Sequence, residues 1–207
     1  MIKFIIIINV CFIFLLSYFL KEEFVTKELV HNYYSAQLSY AQIETILSNQ
    51  QKYQWVVYLF IPIIYFLKLA LITLCLYTGI LLSNAKTLSF SKIFSTVVLA
   101  DILFLIPGVI KIFWFLFQPD YTLEDLQYFM PGSLLNLFNP KEIEPWLVYP
   151  LQSINVWEVA FWFALAYELK AYFQDDFAKS FGTVMASYGS GLVIWIVFVV
   201  FLTLNFS

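Results

Sequence analysis

VLADILFLIPGVIKIFWF, residues 98–115, is almost entirely apolar, yet it contains an acid at Asp101 and a base at Lys111. An apolar stretch of about 20 residues is long enough to cross a bilayer as a helix. A charge at mid-depth of such a helix costs roughly 2.5–3.5 kcal/mol unless something compensates it. The stretch therefore predicts a membrane span whose charges meet partners on other helices.

The composition of the whole chain agrees with a membrane protein. Of its 207 residues, 62% are hydrophobic, 21% are aromatic and 12% are charged, whereas soluble domains have about 25% charged residues. The 23 Phe and 14 Tyr exceed what one water-soluble core of this size could hide, so the surplus is expected to face the lipid bilayer. All 11 basic residues are Lys, and the net charge of −3 argues against nucleic acid as a partner.

Apolar runs divide the chain into five predicted transmembrane helices. We therefore expect an all-α integral membrane protein, a single membrane domain over residues 1–207, with short interfacial helices in its extracytoplasmic loops. The first run could be a secretory signal peptide, but it exceeds the usual core of about 7–15 residues and lacks an A-x-A cleavage site. We interpret it as an uncleaved span. The predicted spans are residues 2–20, 55–82, 94–117, 153–173 and 182–205.

Lys residues predict the orientation, because they favour the cytoplasmic side. The two sides carry equal numbers of Lys, but the short loop 83–93 has two Lys and no acid, and Lys3 flanks the first span. We expect a cytoplasmic N-terminus, an extracytoplasmic C-terminus, and extracytoplasmic loops at residues 21–54 and 118–152. The cytoplasmic Lys residues would be Lys3, Lys86, Lys92 and Lys179, and the extracytoplasmic ones Lys21, Lys27, Lys52 and Lys141.

The charges inside the spans are the candidate functional residues. Asp101 and Lys111 lie about 15 Å apart along a helix and roughly 80° apart around it, so they cannot pair with each other. Their depths permit a Lys68–Asp101 contact, with Glu168 joining, and a shallower contact between Lys111 and Glu158. Such pairs either hold helices together or line a polar cavity or a proton or ion path.

The last span carries small residues at four-residue steps, which let helix backbones approach closely within lipid. They predict either a helix contact within the chain or a homo-oligomer interface. These residues are Gly182, Ala186, Ser187, Ser190 and Gly191. The two cysteines, Cys11 and Cys75, lie within apolar runs and are expected to be small buried hydrophobic residues rather than a disulfide.

The sequence offers no recognisable catalytic constellation. Its one histidine, His31, falls in a predicted loop, and the chain has no HExxH, no Gly-rich phosphate loop, no GxSxG and no CxxC. We therefore predict no catalytic residues, no metal site and no cofactor. A transporter is the alternative, because Pro107 and Gly108 could break the third span near Asp101, as in the discontinuous helices of transporters.

Two stretches resemble a known family. LYTGILLSNAKTLSFSKIFSTVVLADILFLIPGVIKIFWF (residues 76–115) joins two spans through a short basic loop, and PGSLLNLFNPKEIEPWLVYPLQSINVWEVAFWFALAYEL (residues 131–169) leads from a small-Leu-Leu segment into a span. Both resemble the Yip family of Rab-interacting multipass membrane proteins, in particular its short prokaryotic members, over roughly residues 55–205. One departure is Ala166-Tyr167, where family members often have Gly.

The resemblance implies five spans with a cytosolic N-terminus. The long cytosolic N-terminal region of eukaryotic relatives, which would meet a small GTPase, has no counterpart before the first span, so we expect a protein of the bacterial cytoplasmic membrane. The predicted function is that of a non-enzymatic scaffold or accessory subunit that binds other membrane proteins. The alternative is a small-solute or ion-coupled transporter that uses Lys68 and Asp101.

Overall fold

The computed structural model describes residues 2–83 and 88–206, apart from the side chain of Lys141, and the fold is all-α. The predicted role of Lys86 lies outside the described residues. The α-helices are α1 (Ile2–Phe19), α2 (Lys27–Tyr34), α3 (Tyr40–Leu82), α4 (Phe90–Ala100), α5 (Leu105–Leu116), α6 (Leu123–Tyr128), α7 (Pro145–Ser153), α8 (Val156–Leu169), α9 (Phe177–Val184) and α10 (Ser190–Phe206).

Short turns of tighter or wider helix join several of these elements. Turns of 3₁₀-helix follow α4 at Asp101–Phe104 and α8 at Lys170–Phe173. Turns of π-helix follow α1 at Leu20–Phe24 and α9 at Met185–Gly189. Because the chain stays helical through each turn, α4 runs on into α5 and α9 runs on into α10.

Four helical segments are long and apolar enough to cross a membrane: Ile2–Phe24, Tyr40–Leu82, Phe90–Leu116 and Phe177–Phe206. They contain the predicted first, second and fifth spans, and all of the third except its last residue, 117. The second segment has 43 residues, or about 64 Å of helix, against a hydrocarbon core of about 30 Å. A helix of this length is too long for the hydrocarbon core alone, so its polar N-terminal third would extend beyond that layer. α2 packs against α3.

The predicted span at residues 153–173 is not among these four segments. Its core is α8, whose 14 residues correspond to about 21 Å. The helix begins at Val156 rather than at residue 153, because Asn155 caps it by accepting the backbone N–H of Glu158 at 2.8 Å. The backbone on either side of Asn155 is bonded to another loop: Leu134 N–H donates to the carbonyl of Ile154 (2.9 Å), and Val156 N–H donates to that of Gly132 (3.0 Å).

Side-chain contacts fix the relative directions of the long segments. Lys68 meets Asp101 and Tyr77 meets Phe90, so α3 and the α4–α5 segment are antiparallel. Cys75 lies against Gly191, and Gly79, further along α3, lies against Ser187. The residue number increases along α3 while that of its contact in the α9–α10 segment decreases, so these two segments are also antiparallel.

The α7–α8 stretch runs antiparallel to the α9–α10 segment along its length. Near the end of α8, Ser180 Oγ donates to the carbonyl of Ala166 at 2.8 Å. On α7, Trp195 Nε1 donates to the Tyr149 hydroxyl at 2.7 Å. α7 and α8 therefore follow one another along the α9–α10 segment, with a break between them at residues 154–155.

The loop between α5 and α7 contains a helix-capping motif. Thr122 and Asp125 form a capping box at the start of α6: Asp125 N–H donates to Thr122 Oγ1 at 3.1 Å, and Thr122 N–H donates to Asp125 Oδ2 at 2.8 Å. These bonds satisfy backbone groups that a helix N-terminus leaves without partners. Leu126 of α6 packs against Phe24 and Phe115 in a small aromatic cluster at one end of the bundle.

Candidate functional site: a polar cluster in the core of the bundle

An ion pair lies inside the bundle. Lys68 Nζ on α3 lies 2.6 Å from Asp101 Oδ1, so the contact that the helix depths permit is formed. The ammonium also lies 4.1 Å from the centre of the Phe104 ring, a distance that allows a cation–π interaction. Asp101 is 2% exposed, whereas the Lys68 side chain is 40% exposed, so the carboxylate is the enclosed member of the pair.

Asp101 occupies the point where the α4–α5 segment changes its helical form. The 3₁₀ turn Asp101–Phe104 precedes Pro107, which has no N–H to offer the carbonyl of Leu103 and whose ring crowds that carbonyl. The predicted irregularity near Asp101 is therefore present, and it lies on the N-terminal side of Pro107. The tightened turn carries both Asp101 and the Phe104 ring toward Lys68.

A second polar contact connects α1 to the same region. Asn9 Nδ2 donates to the Tyr65 hydroxyl at 3.0 Å, and both residues are buried. The Tyr65 hydroxyl lies close enough to Asp101 to interact with its carboxylate. Sequence reasoning missed both residues. The available signal for Asn9 was that it is the one amide side chain in the predicted first span.

Glu158, the third residue of α8, brings a second carboxylate to this region. Its Oε1 accepts two hydrogen bonds, from the Tyr188 hydroxyl at 2.6 Å and from Trp162 Nε1 at 2.8 Å. Tyr188 belongs to the π-helical turn, so a helical irregularity again coincides with a polar contact. Glu158 is also within electrostatic range of Lys68 and Asp101.

We call Asn9, Tyr65, Lys68, Asp101, Glu158, Trp162 and Tyr188 the polar cluster. Its members come from α1, α3, the Asp101 turn, α8 and the π turn, and the cluster is therefore supplied by all four long apolar segments together with α8. Two of those segments change helical form at the residue that they contribute. Such deviations from regular α-helix frequently mark functional positions.

The other pairing that the helix depths permit, between Lys111 and Glu158, is not formed. Lys111 forms no ion pair with Glu158, because α8 packs on α4 and on the Asp101 turn, and the Glu158 carboxylate turns toward Tyr188. Lys111 is half-buried on α5. Glu168 is exposed and does not join Lys68 and Asp101, since it lies ten residues, or about 15 Å, beyond Glu158 along α8.

The small residues of the last segment divide into two faces. Ser187 and Gly191 pack on α3, and a Cβ added to Gly191 would lie 2.6 Å from Cys75 Sγ. Gly182, Ala186 and Ser190 are exposed, and a Cβ added to Gly182 would meet nothing within 4 Å. The first face makes a helix contact within the chain, and we call the second the small-residue face.

The cysteines are both free, and only one is enclosed. Cys75 is partly buried against Gly191, while Cys11 is exposed on α1, so the prediction that Cys11 is buried is wrong. Position 11 points away from the neighbours of α1, a direction that hydropathy alone does not reveal. Within residues 2–83 and 88–206, no group of three His, Cys, Asp or Glu side chains could hold a metal ion.

His31 has a structural partner outside the predicted spans. Its Nε2 lies 3.0 Å from Glu44 Oε1, and its ring stacks on Tyr40 with the ring centres 4.7 Å apart. These contacts dock α2 on the polar N-terminal part of α3. The hydrogen bond to His31 lowers the pKa of Glu44 below its ordinary value.

A cleft of about 420 Å³ opens at the C-terminal end of α5. Aromatic side chains line much of it, including Trp114, Tyr121 and Phe129. None of its lining residues belongs to the polar cluster, so the cleft and the cluster are separate features.

No protein-family model matches this chain, and no curated protein and no solved structure matches it. The resemblance to the Yip family therefore stays a prediction that rests on residues 76–115 and 131–169.

Proposed function

We propose that the chain crosses the membrane five times, with α7 and α8 together forming the fourth crossing. The directions of the other segments support this proposal. The α4–α5 and α9–α10 segments are both antiparallel to α3 and therefore run the same way. The chain must then return across the bilayer between residues 117 and 176, where α7–α8 spans 25 residues (145–169), about the length that a crossing requires.

We further propose that the N-terminus is cytoplasmic and that the protein resides in a bacterial cytoplasmic membrane. Lys3 and Lys92 support this orientation. Both lie at the same end of the bundle, and Lys residues favour the cytoplasmic side of a membrane. The choice of membrane rests on the resemblance to prokaryotic Yip proteins. Residues 22–52 supply α2 and the start of α3, which would lie in the extracytoplasmic layer.

The function that we propose is that of a non-enzymatic scaffold or accessory subunit that binds other membrane proteins within the bilayer. The small-residue face is the observation that carries this proposal. Gly182, Ala186 and Ser190 leave a flat strip of backbone on the outside of the bundle. Because lipid provides no hydrophobic driving force between helices, close backbone packing at such strips is a main cause of helix association.

Co-purification in mild detergent tests this function. The variant Gly182→Leu/Ala186→Leu adds bulk at two exposed positions of the strip, and a Cβ added to Gly182 would meet nothing within 4 Å. The variant should therefore fold normally and lose proteins that co-purify with the wild type. The matched control Leu74→Phe adds bulk to an exposed position on α3 and should retain them. Co-expression of two differently tagged copies separates a homo-oligomer from a hetero-complex. If the double Leu variant keeps every partner, the proposal is wrong.

A small-solute or ion-coupled transporter is the second candidate. The observation that favours it is the coincidence of two helix irregularities, at Asp101–Phe104 and at Met185–Gly189, with one polar cluster. Discontinuous helices around a mid-membrane site are typical of transporters. Reconstituted vesicles would distinguish the two functions: a transporter should show a flux that Lys68→Met/Asp101→Asn abolishes while the protein stays folded.

A further inference from the structure

The charges in the polar cluster do not balance. Lys68 forms an ion pair with Asp101, with Nζ 2.6 Å from Oδ1, and its ammonium neutralises that carboxylate. Glu158 is left with two neutral donors, Tyr188 and Trp162. Lys111 does not supply the missing positive charge, since α8 packs on α4 and on the Asp101 turn and the Glu158 carboxyl group turns toward Tyr188.

An ionised Glu158 would therefore add one net negative charge to the interior of the bundle. Such a charge is costly to bury without a counter-charge. The N-terminus of α8 carries roughly half an elementary positive charge, and Glu158 lies in its first turn. That partial charge offsets only part of the deficit. The charge of Lys68 also favours a carboxylate at Glu158, but the charge of Asp101 opposes it.

The hydrogen bonds at Glu158 do not supply the missing positive charge. Both donors, the Tyr188 hydroxyl and the Trp162 ring N–H, converge on the single oxygen Oε1. A carbonyl oxygen has two lone pairs and can accept both bonds. Both bonds also stabilise a carboxylate, but neither donor carries a full charge. A neutral carboxylic acid keeps both bonds, with Oε1 as its carbonyl oxygen and Oε2 as its hydroxyl.

We propose that Glu158 is a proton-binding site that holds one exchangeable proton per chain at neutral pH. The charged and titratable groups around it are Lys68 from α3, Asp101 from the 3₁₀ turn and Tyr188 from the π turn. Release of the proton to water breaks the Oε2–H bond and leaves a carboxylate that still accepts from Tyr188 and Trp162. The proton thus sets the net charge of the cluster, whether or not the chain binds a membrane partner.

Infrared spectroscopy of the protein in lipid vesicles tests this proposal, because only a protonated carboxyl group gives the C=O stretching band of a carboxylic acid. At neutral pH the wild type should show this band, and it should disappear in alkaline buffer. Glu158→Gln should lose the band, since its amide carbonyl keeps both hydrogen bonds without a titratable proton. Glu168→Gln removes an exposed acid from the same helix and should retain the band.

Three outcomes would overturn the proposal. The wild type could show no carboxylic acid band at neutral pH, a measurement that needs no variant to fold. The band could persist in Glu158→Gln, which would assign the proton to another acid. Finally, sodium chloride could raise the thermal stability of the wild type above that in choline chloride, with no such effect in Glu158→Gln, which would identify the missing charge as a metal cation.

Discussion

Removing Lys68 should damage the protein more than removing the charge of Asp101. In Lys68→Met the Asp101 carboxylate loses its counter-charge while it is only 2% exposed. Breaking a buried ion pair from one side typically costs about 3–5 kcal/mol. In Asp101→Asn the amide oxygen can still accept from Lys68, whose side chain is 40% exposed and can extend toward a polar region. We expect a cost of about 1–2 kcal/mol for that change, because exposure weakens ion pairs.

The double variant Lys68→Met/Asp101→Asn should recover much of the stability that Lys68→Met loses, since no charge is left without a partner. Thermal unfolding in detergent, followed by the fraction of protein that remains monodisperse after heating, measures all three variants. One kcal/mol corresponds to about 2–4 °C in a chain of this size, so Lys68→Met should lower the midpoint by roughly 6–20 °C. Equal losses for the two single variants, or additive losses in the double variant, would refute the reasoning.

The remaining predictions concern packing and pH. Gly191→Leu should destabilise the bundle by about 2 kcal/mol or more, because its Cβ would lie 2.6 Å from Cys75 Sγ, whereas Gly182→Leu should leave the thermal midpoint unchanged. The lowered pKa of Glu44 means that its contact with His31 stabilises α2 at pH values above the ordinary Glu pKa and is lost as the pH falls through the lowered one. The protection of α2 amides against hydrogen exchange, relative to the intrinsic exchange rate at each pH, should therefore fall in acid for the wild type, and it should already be low at neutral pH in Glu44→Gln. A wild type whose α2 protection factors do not fall on acidification would contradict this account.

Hydropathy was sufficient to locate the long apolar helices, because the bilayer requires continuous apolar length whatever the neighbours are. It also permitted the Lys68–Asp101 pair, since two buried charges at one depth have few other ways to be compensated. Both features follow from requirements of the bilayer, apolar length and compensation of buried charge, that can be evaluated from a single sequence.

Orientation around a helix was harder to predict. The Lys111–Glu158 pairing assumed that matching depth implies contact, but α8 faces α4 and Tyr188 instead. The start of α8 depends on backbone hydrogen bonds between residues 154–156 and 132–134, and no local sequence pattern predicts these bonds. Tyr188 acquires its role through a π-helical turn, whose sequence carries no recognised signature. These features are set by tertiary packing.

The number of crossings is the claim on which the other proposals depend. Single cysteines introduced in a variant without Cys11 and Cys75 can be labelled by a membrane-impermeant reagent in sealed vesicles. The positions are Lys3 at the start of the first predicted span, Asp120 after the third, Asp175 after the fourth and Asn205 at the end of the fifth.

Five crossings predict that Lys3 and Asp175 react from one side of the membrane and that Asp120 and Asn205 react from the other. If Asp175 reacted from the same side as Asp120, then α7–α8 would not cross the bilayer, and the account given for the bundle and its polar cluster would be wrong.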